Sequence, residues 1–195
     1  MPTRARPRPR PRNLLSALPA LLAALLLAVP ATSAAQEAAP ADARPAADPA
    51  DVSSLEAIVD AVYDVISGPA GEARDWDRLR SLFVPEGRLI PSGRRPDGTA
   101  GYRVLTVEDY IENARRSFAE EGFFEREIHA ETERYGDIAH VFSTYESRRS
   151  ADDAEPFQRG INSLQLWHDG DRWWVVTILW HAEREGASIP ERYGG

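Results

Sequence analysis

The sequence predicts an α+β domain: three helices on one face of a curved antiparallel sheet of about six strands. Three observations carry that expectation. Between Ser53 and Gly122, apolar residues recur at helical spacing in three separate segments. After Gly122 the period changes from helical to two. Four long strand-like runs then follow one another, and short connections between such runs make an antiparallel meander.

Each element has its own signal. Ser53 and Glu56 form a capping box, and Leu55, Ile58, Val59, Val62 and Ile66 follow as one apolar stripe that Gly68-Pro69 ends. A short helix starts near Asp75, buries Trp76, Leu79, Leu82 and Phe83, and stops at Pro85. "GRLIPSGRRPDGTAGYRVL" reads as two short strands around a loop with Asp97-Gly98 at its tip. Thr106 caps the third helix with Asp109 in the reciprocal position; its stripe is Val107, Tyr110, Ile111, Ala114 and Phe118. "FFEREIHAETERY" alternates, with Phe124, Ile128 and Ala130 on one side and Glu125, Glu127, His129, Glu131 and Glu133 on the other. The run "IAHVFSTYESRRS" is next, then "FQRGINSLQLW" and "RWWVVTILWHAER". Asp169-Gly170 between the last two predicts a two-residue turn of type I′, since Asp and Gly tolerate positive φ.

The flanks bound the class of protein. Arg4, Arg6, Arg8, Arg10 and Arg12 precede an apolar run from Leu14 to Val29, and Ser33-Ala34-Ala35 offers small residues for cleavage. That is the pattern of a signal peptide over residues 1–35, so the protein is expected to be exported, periplasmic or secreted. The alternative is an uncleaved membrane anchor, but Pro19 and Pro30 interrupt the run and it is short for a spanning helix. Residues 36–51 are rich in Pro, Ala and Asp and poor in large apolar side chains, which predicts a disordered linker. Residues 52–193 suit one domain with a core.

The 195-residue chain has no Cys, which excludes disulfides and thiolate chemistry, and no Lys, which excludes a Schiff base on a lysine amine. Its net charge is −8; residues 1–35 carry five Arg and no acid, so their removal leaves 18 basic against 31 acidic residues, −13. Such a balance argues against nucleic acid as a partner.

The order of elements and the closing "GINSLQLWHDGDRWWVVTILWHAERE", with Trp173 and Trp174 just after a Gly-Asp turn, resemble the nuclear transport factor 2-like superfamily in its SnoaL-like branch. The resemblance implies a cystatin-like cone, in which a curved sheet wraps a long helix and leaves a pocket at the open end. The superfamily includes polyketide cyclases, ketosteroid isomerase, scytalone dehydratase, limonene epoxide hydrolase and non-enzymatic members, so the fold does not give the function. No Asp falls mid-strand on an apolar phase, where an isomerase-type base would sit.

Candidate pocket residues are polar groups interrupting apolar strand phases. His181 shares a phase with Trp173, Val175, Thr177 and Leu179 at a strand end; it is the weak catalytic candidate, a general base or ligand partner, against a plain solvated His. Ser143 and Tyr145 share a phase with Ala139 and Val141, and Asn162 interrupts the next strand. The expected pocket wall is therefore Tyr145, Ser143, Asn162, Trp173, Thr177 and His181. Carboxylates and imidazole at two-residue spacing along Glu125 to Glu133 could hold a metal, but one continuous polar phase is read as a solvated sheet face, and no metal or cofactor is expected.

"RWWVVTILWHAER" is apolar on both faces. The phase with polar members is assigned to the pocket. The wholly apolar phase of Trp174, Val176, Ile178 and Trp180 is assigned to the outer face, where it predicts a homodimer, because a monomer rarely exposes more than a few hundred Å² of contiguous apolar surface. The expected function is binding of a small, mainly apolar ligand without turnover. The alternatives are a lyase, isomerase or hydrolase with a pocket acid–base residue, and a non-catalytic dimeric interaction domain.

Overall fold

A computed structural model describes residues 44–195. The expected signal peptide and the first part of the expected linker lie outside the described residues. From Arg44 onward the expected linker is packed on the domain. Arg44 donates to the carbonyls of Phe83 (3.0 Å) and Pro85 (2.9 Å). Asp48 caps a one-turn helix, α1 (Pro49–Val52), and Asp51 pairs with Arg78 at 2.7 Å. Composition hid this turn because Val52 is its one large buried side chain.

Helix α2 (Leu55–Ile66) starts one residue later than expected: Ser54, not Ser53, accepts from the Ala57 amide, since Ser53 closes α1 in a helical conformation. Its stripe buries Ile58, Val59, Val62 and Ile66. Arg74 finishes the helix end. Its guanidinium donates to the carbonyl of Ile66, the last helical residue, and to those of Gly68, Pro69 and Glu72 in the loop that follows. Helix α3 (Trp76–Leu82) begins at Asp75, and α4 (Val107–Glu120) begins at the expected Thr106–Asp109 capping box.

The strands are β1 (Phe83–Arg94), β2 (Ala100–Tyr102), β3 (Leu105–Thr106), β4 (Phe124–Tyr135), β5 (Ile138–Arg148), β6 (Gln158–His168) and β7 (Trp173–Ala182). They form one seven-stranded sheet in the order β2-β1-β7-β6-β5-β4, with β3 beside β1. The meander β4 to β7 is antiparallel as expected, but β7 returns alongside β1 in parallel, so the sheet is mixed. The helices cover its concave face, where α2 and α4 meet Leu89, Val141, Leu164, Leu166, Val175 and Ile178 in the core. Among the described residues no helix is long and apolar enough to cross a membrane.

Bulges in β4 and β7 reset which residues face inward. In β4, Glu127 pairs with Tyr145 and His129 with Thr144, so Ile128 is an extra residue and alternation restarts one step on. Glu125 and Glu127 therefore point inward, whereas His129, Glu131 and Glu133 share the convex face. The single solvated row expected from the sequence is split. In β7, Val175 pairs with Leu166 and Thr177 with Gln165, which leaves Val176 as the extra residue. Trp173 and Val175 face the core before the bulge, and Ile178 and Trp180 face it afterwards. Neither sequence phase holds through the strand: Ile178 and Trp180 are inside rather than outside, and Thr177, Leu179 and His181 are outside rather than in the pocket wall.

The β6–β7 connection also differs from the expected two-residue turn. The Asp169 amide donates to the Arg172 carbonyl at 3.1 Å, so Gly170 (φ 108°) and Asp171 are the central pair. Asp169 instead anchors the loop: its carboxylate accepts from the amides of Asp171 (2.8 Å) and Arg172 (2.9 Å) and from the Trp174 indole (2.7 Å). On the convex face the C-terminal tail folds back. Thr144 donates to the Tyr193 carbonyl at 2.7 Å, the Phe142 and Tyr193 rings meet at 4.9 Å, and Ile189 is buried.

Candidate functional site

A cavity of about 290 Å³ lies between α2, α4 and the concave sheet face. The helix stripes supply Val62 and Ile66 from α2 and Tyr110, Ala114 and Phe118 from α4; the sheet supplies Leu89, Tyr145, Ile178 and Trp180. Tyr110 and Trp180 meet edge to face at 6.5 Å, and Phe118 stacks on Phe123 at 5.0 Å. Most of the wall is therefore aromatic or aliphatic, with Glu125 as its one carboxylic acid and no basic side chain.

The Glu125 carboxyl accepts from Ser147 Oγ at 2.7 Å and from the Asn162 side chain. None of the described ion pairs includes it. Burial disfavours its charged form more than those two neutral hydrogen bonds favour it, and its pKa is pushed up to about 7. Glu125 retains some accessible surface because it lines this cavity and a cleft on its other side, next to Tyr63 and Glu127.

A second carboxyl is tied to the first through a directed chain of hydrogen bonds. Ser143 donates to Glu127, Tyr63 OH lies 2.7 Å from Ser143 Oγ, and Asn162 Nδ2 donates to Tyr63 OH at 3.0 Å. With Ser143 donating to Glu127, the Tyr63 proton must point to Ser143, which leaves the tyrosine oxygen to accept from Asn162. From Asn162 through Tyr63 and Ser143 the protons then point toward Glu127, a pattern that favours an ionised Glu127. Burial raises its pKa, and the Ser143 hydrogen bond opposes that shift. Tyr63, Tyr110 and Tyr145 are all held above the ordinary phenol range, first by burial and also by the charge of Glu125.

Gly160 is needed beside Tyr145. A Cβ there would fall 2.5 Å from the Tyr145 hydroxyl oxygen and 2.6 Å from the His181 carbonyl oxygen, so only glycine lets the tyrosine ring lie across the neighbouring strand.

The expected site residues separate into three groups. Tyr145 and Asn162 line the cavity; Ser143 lies behind it, in the hydrogen-bond chain. Trp173 is buried away from the cavity, 5.0 Å from the His168 ring and under the Arg134 guanidinium at 4.9 Å. Thr177 and His181 are on the convex face. The His181 Nδ1 lies 3.0 Å from Ser92 Oγ in a separate convex-side cleft with Phe142, Ile161 and the tail residues Ile189 and Pro190. His181 is thus removed from the cavity that holds Glu125. The sequence pattern puts Glu125 on a wet face, Tyr110 in helix core and Trp180 on the outer surface. The available signal was on the neighbouring strands: Ser143, Ser147 and Asn162 fall on otherwise apolar inner phases and require polar partners.

No family model matches the sequence, and no curated protein does. Among solved structures the chain is similar to a protein of unknown function with a cystatin-like fold from Nostoc punctiforme, at TM-score 0.51 and 10% identity, over 66% of this chain and 88% of that one. It is also similar to an NTF2-like protein of unknown function from Silicibacter pomeroyi, at TM-score 0.44 and 19% identity, over 67% of this chain and 94% of that one. A further NTF2-like protein of unknown function, from Shewanella baltica, matches at TM-score 0.43 and 12% identity, over 67% and 98% of the two chains. The chain has a cystatin-like α+β fold with a curved mixed sheet.

Proposed function

We propose that the protein is an exported binding protein that holds one small, mainly apolar molecule in the cavity between α2, α4 and the concave sheet face. The observation that carries this reading is the cavity itself: about 290 Å³ of space with an aromatic and aliphatic wall and convergent polar groups at Glu125, Tyr145 and Asn162. Apolar walls with a few placed polar groups are the usual form of a small-molecule site. Export is supported by the basic and apolar N-terminal pattern of residues 1–35. The SnoaL-like placement belongs to the same proposal and rests on the closing hairpin.

A second reading is proton transfer on a bound molecule, as in a lyase or isomerase. It is supported by a carboxyl whose pKa is near 7, where it can give or take a proton at neutral pH. Native mass spectrometry of the protein, recovered without denaturation, tests the binding reading. One small molecule per chain is expected, and Ala114→Trp, which places an indole in the cavity, should release it. A bare chain that also takes up no apolar probe contradicts the reading.

Self-association through the convex sheet face also remains a proposal, on a row that keeps Trp174 of the expected residues and replaces the other three. Tyr135, Ile138, Trp167 and Trp174 follow one another across four strands as direct neighbours. Tyr135 is 85% exposed, Ile138 58% and Trp167 41%, which leaves an apolar row for a second copy to cover.

A further inference from the structure

We propose that the cavity selects an organic cation: an ammonium group on a compact apolar body, with its nitrogen against Glu125. This rests on the binding reading above and names its ligand class.

Charge balance is the first ground. Glu125 is the one charged residue in the wall, and no Arg or His lines the cavity with it. Nearby arginines are engaged elsewhere. Arg126 and Arg148 both pair with Glu146, Arg74 is spent on four carbonyls, and Arg115 lies over Trp76. A buried carboxylate without a cation is costly, so a cationic ligand would supply what the protein leaves out.

The neighbours of Glu125 give the second ground. Ser147 and Asn162 both donate to it, so its immediate shell is arranged for the ionised form. Those two bonds use part of a carboxylate's capacity of about four acceptor positions. A bound anion would be repelled there. A neutral ligand offering an acceptor would need Glu125 protonated, against the direction in which both neighbouring donors act.

The third ground is the ring lining. Tyr110, Phe118, Phe123, Tyr145 and Trp180 surround the cavity. Aromatic faces attract ammonium groups, most strongly where water is excluded. They would solvate the methyl or methylene groups next to the nitrogen while Glu125 takes the charge. The acidic balance of residues 36–195, 18 basic against 31 acidic, steers cations toward the protein from outside.

The titratable groups facing Glu125 are Tyr63 from α2, Tyr110 from α4, Tyr145 from β5 and, along its own strand, Glu127. The tyrosines stay protonated across the neutral range, so Glu125, pushed up to about 7, is the group whose charge changes there.

The test uses three matched pairs of amine and alcohol: cyclohexylmethyl, 2-phenylethyl and 1-adamantylmethyl, titrated calorimetrically into the full chain at pH 8 and pH 5.5. In at least one pair the amine should bind about 10-fold tighter than its alcohol at pH 8, with the ratio falling toward one at pH 5.5. Glu125→Gln should remove the amine's advantage over its alcohol, bringing the ratio at pH 8 to within about 3-fold of one. The pH comparison on the parent protein stands even if that variant folds poorly. Alcohols binding as tightly as amines at pH 8 would overturn the cation proposal while leaving the binding reading intact. So would an amine preference that persists in Glu125→Gln, which would then come from surface charge. If no member of any pair binds, the binding reading falls and the cation proposal with it.

Discussion

Replacing Glu125 by Gln should make the protein more stable at pH 8 and not at pH 5. The Glu125 carboxyl has a folded-state pKa of about 7 against an ordinary value of 4.5, because burial outweighs its two hydrogen bonds. An acid whose pKa is raised by folding binds its proton more tightly in the folded state. Its contribution is therefore intact below pH 4.5 and is lost as pH rises from 4.5 to about 7. A shift of that size costs about 3 kcal/mol in full, most of which falls between pH 5 and pH 8. Gln keeps the shape and can accept from Ser147, but it carries no charge; weakening that bond costs about 1 kcal/mol at either pH. The variant is thus expected to match the parent or fall slightly below it at pH 5, and to exceed it by about 2 kcal/mol at pH 8, or about 4–8 °C in Tm for a domain of this size. Urea unfolding of both proteins at the two pH values measures the difference, and other titrating groups cancel between them. A difference that does not change with pH would refute the argument that Glu125 is buried without a compensating cation.

Three further outcomes follow from other parts of the structure. Gly160→Ala should cost about 1–3 kcal/mol in urea unfolding, since its methyl would collide with the Tyr145 hydroxyl and a backbone carbonyl; a variant as stable as the parent would show that the ring is not seated over Gly160. Arg74→Lys should cost about 1–3 kcal/mol, because an ammonium cannot reach four carbonyls spread over the last residue of α2 and the following loop as the planar guanidinium does; a loss under about 0.5 kcal/mol would argue against the capping role. Trp167→Glu should give a folded monomer by light scattering if two copies pair through the convex face; a parent that is already monomeric at micromolar concentration contradicts that pairing.

The helices were legible because their signals are local. Asp75 and the Thr106–Asp109 pair cap the helices they were expected to cap, and the stripes of α2 and α4 turn inward as their spacing requires. The Asp-Gly signal marked the right connection and the wrong central pair, since the Asp169 side chain holds the loop rather than its own backbone turning it. The inside and outside of β4 and β7 were not legible past the bulges. One extra residue at Ile128 and one at Val176 shift every later side chain to the other face, and alternation alone does not mark where an extra residue sits. Without the bulges Glu125 runs on into the exposed row of His129, Glu131 and Glu133, and Thr177 and His181 fall on the pocket side. A strand with two apolar faces needs no covering of a whole outer phase when it has a bulge: β7 spends Trp173 and Val175, then Ile178 and Trp180, on the same core. Tyr145 and Asn162 were found because β5 and β6 keep their alternation through the inner residues that frame the cavity.

Selection of a cation depends most on Glu125 facing an aromatic cavity with no cation beside it. A carbon-13 NMR titration of the side-chain carboxyls, with Glu125 assigned by comparison with Glu125→Gln, measures this directly. The expected result is a midpoint near 7 for Glu125 in the ligand-free protein, moving down when an amine occupies the cavity. A midpoint near the ordinary value of 4.5 would contradict it, because the carboxyl would then be solvated or already paired.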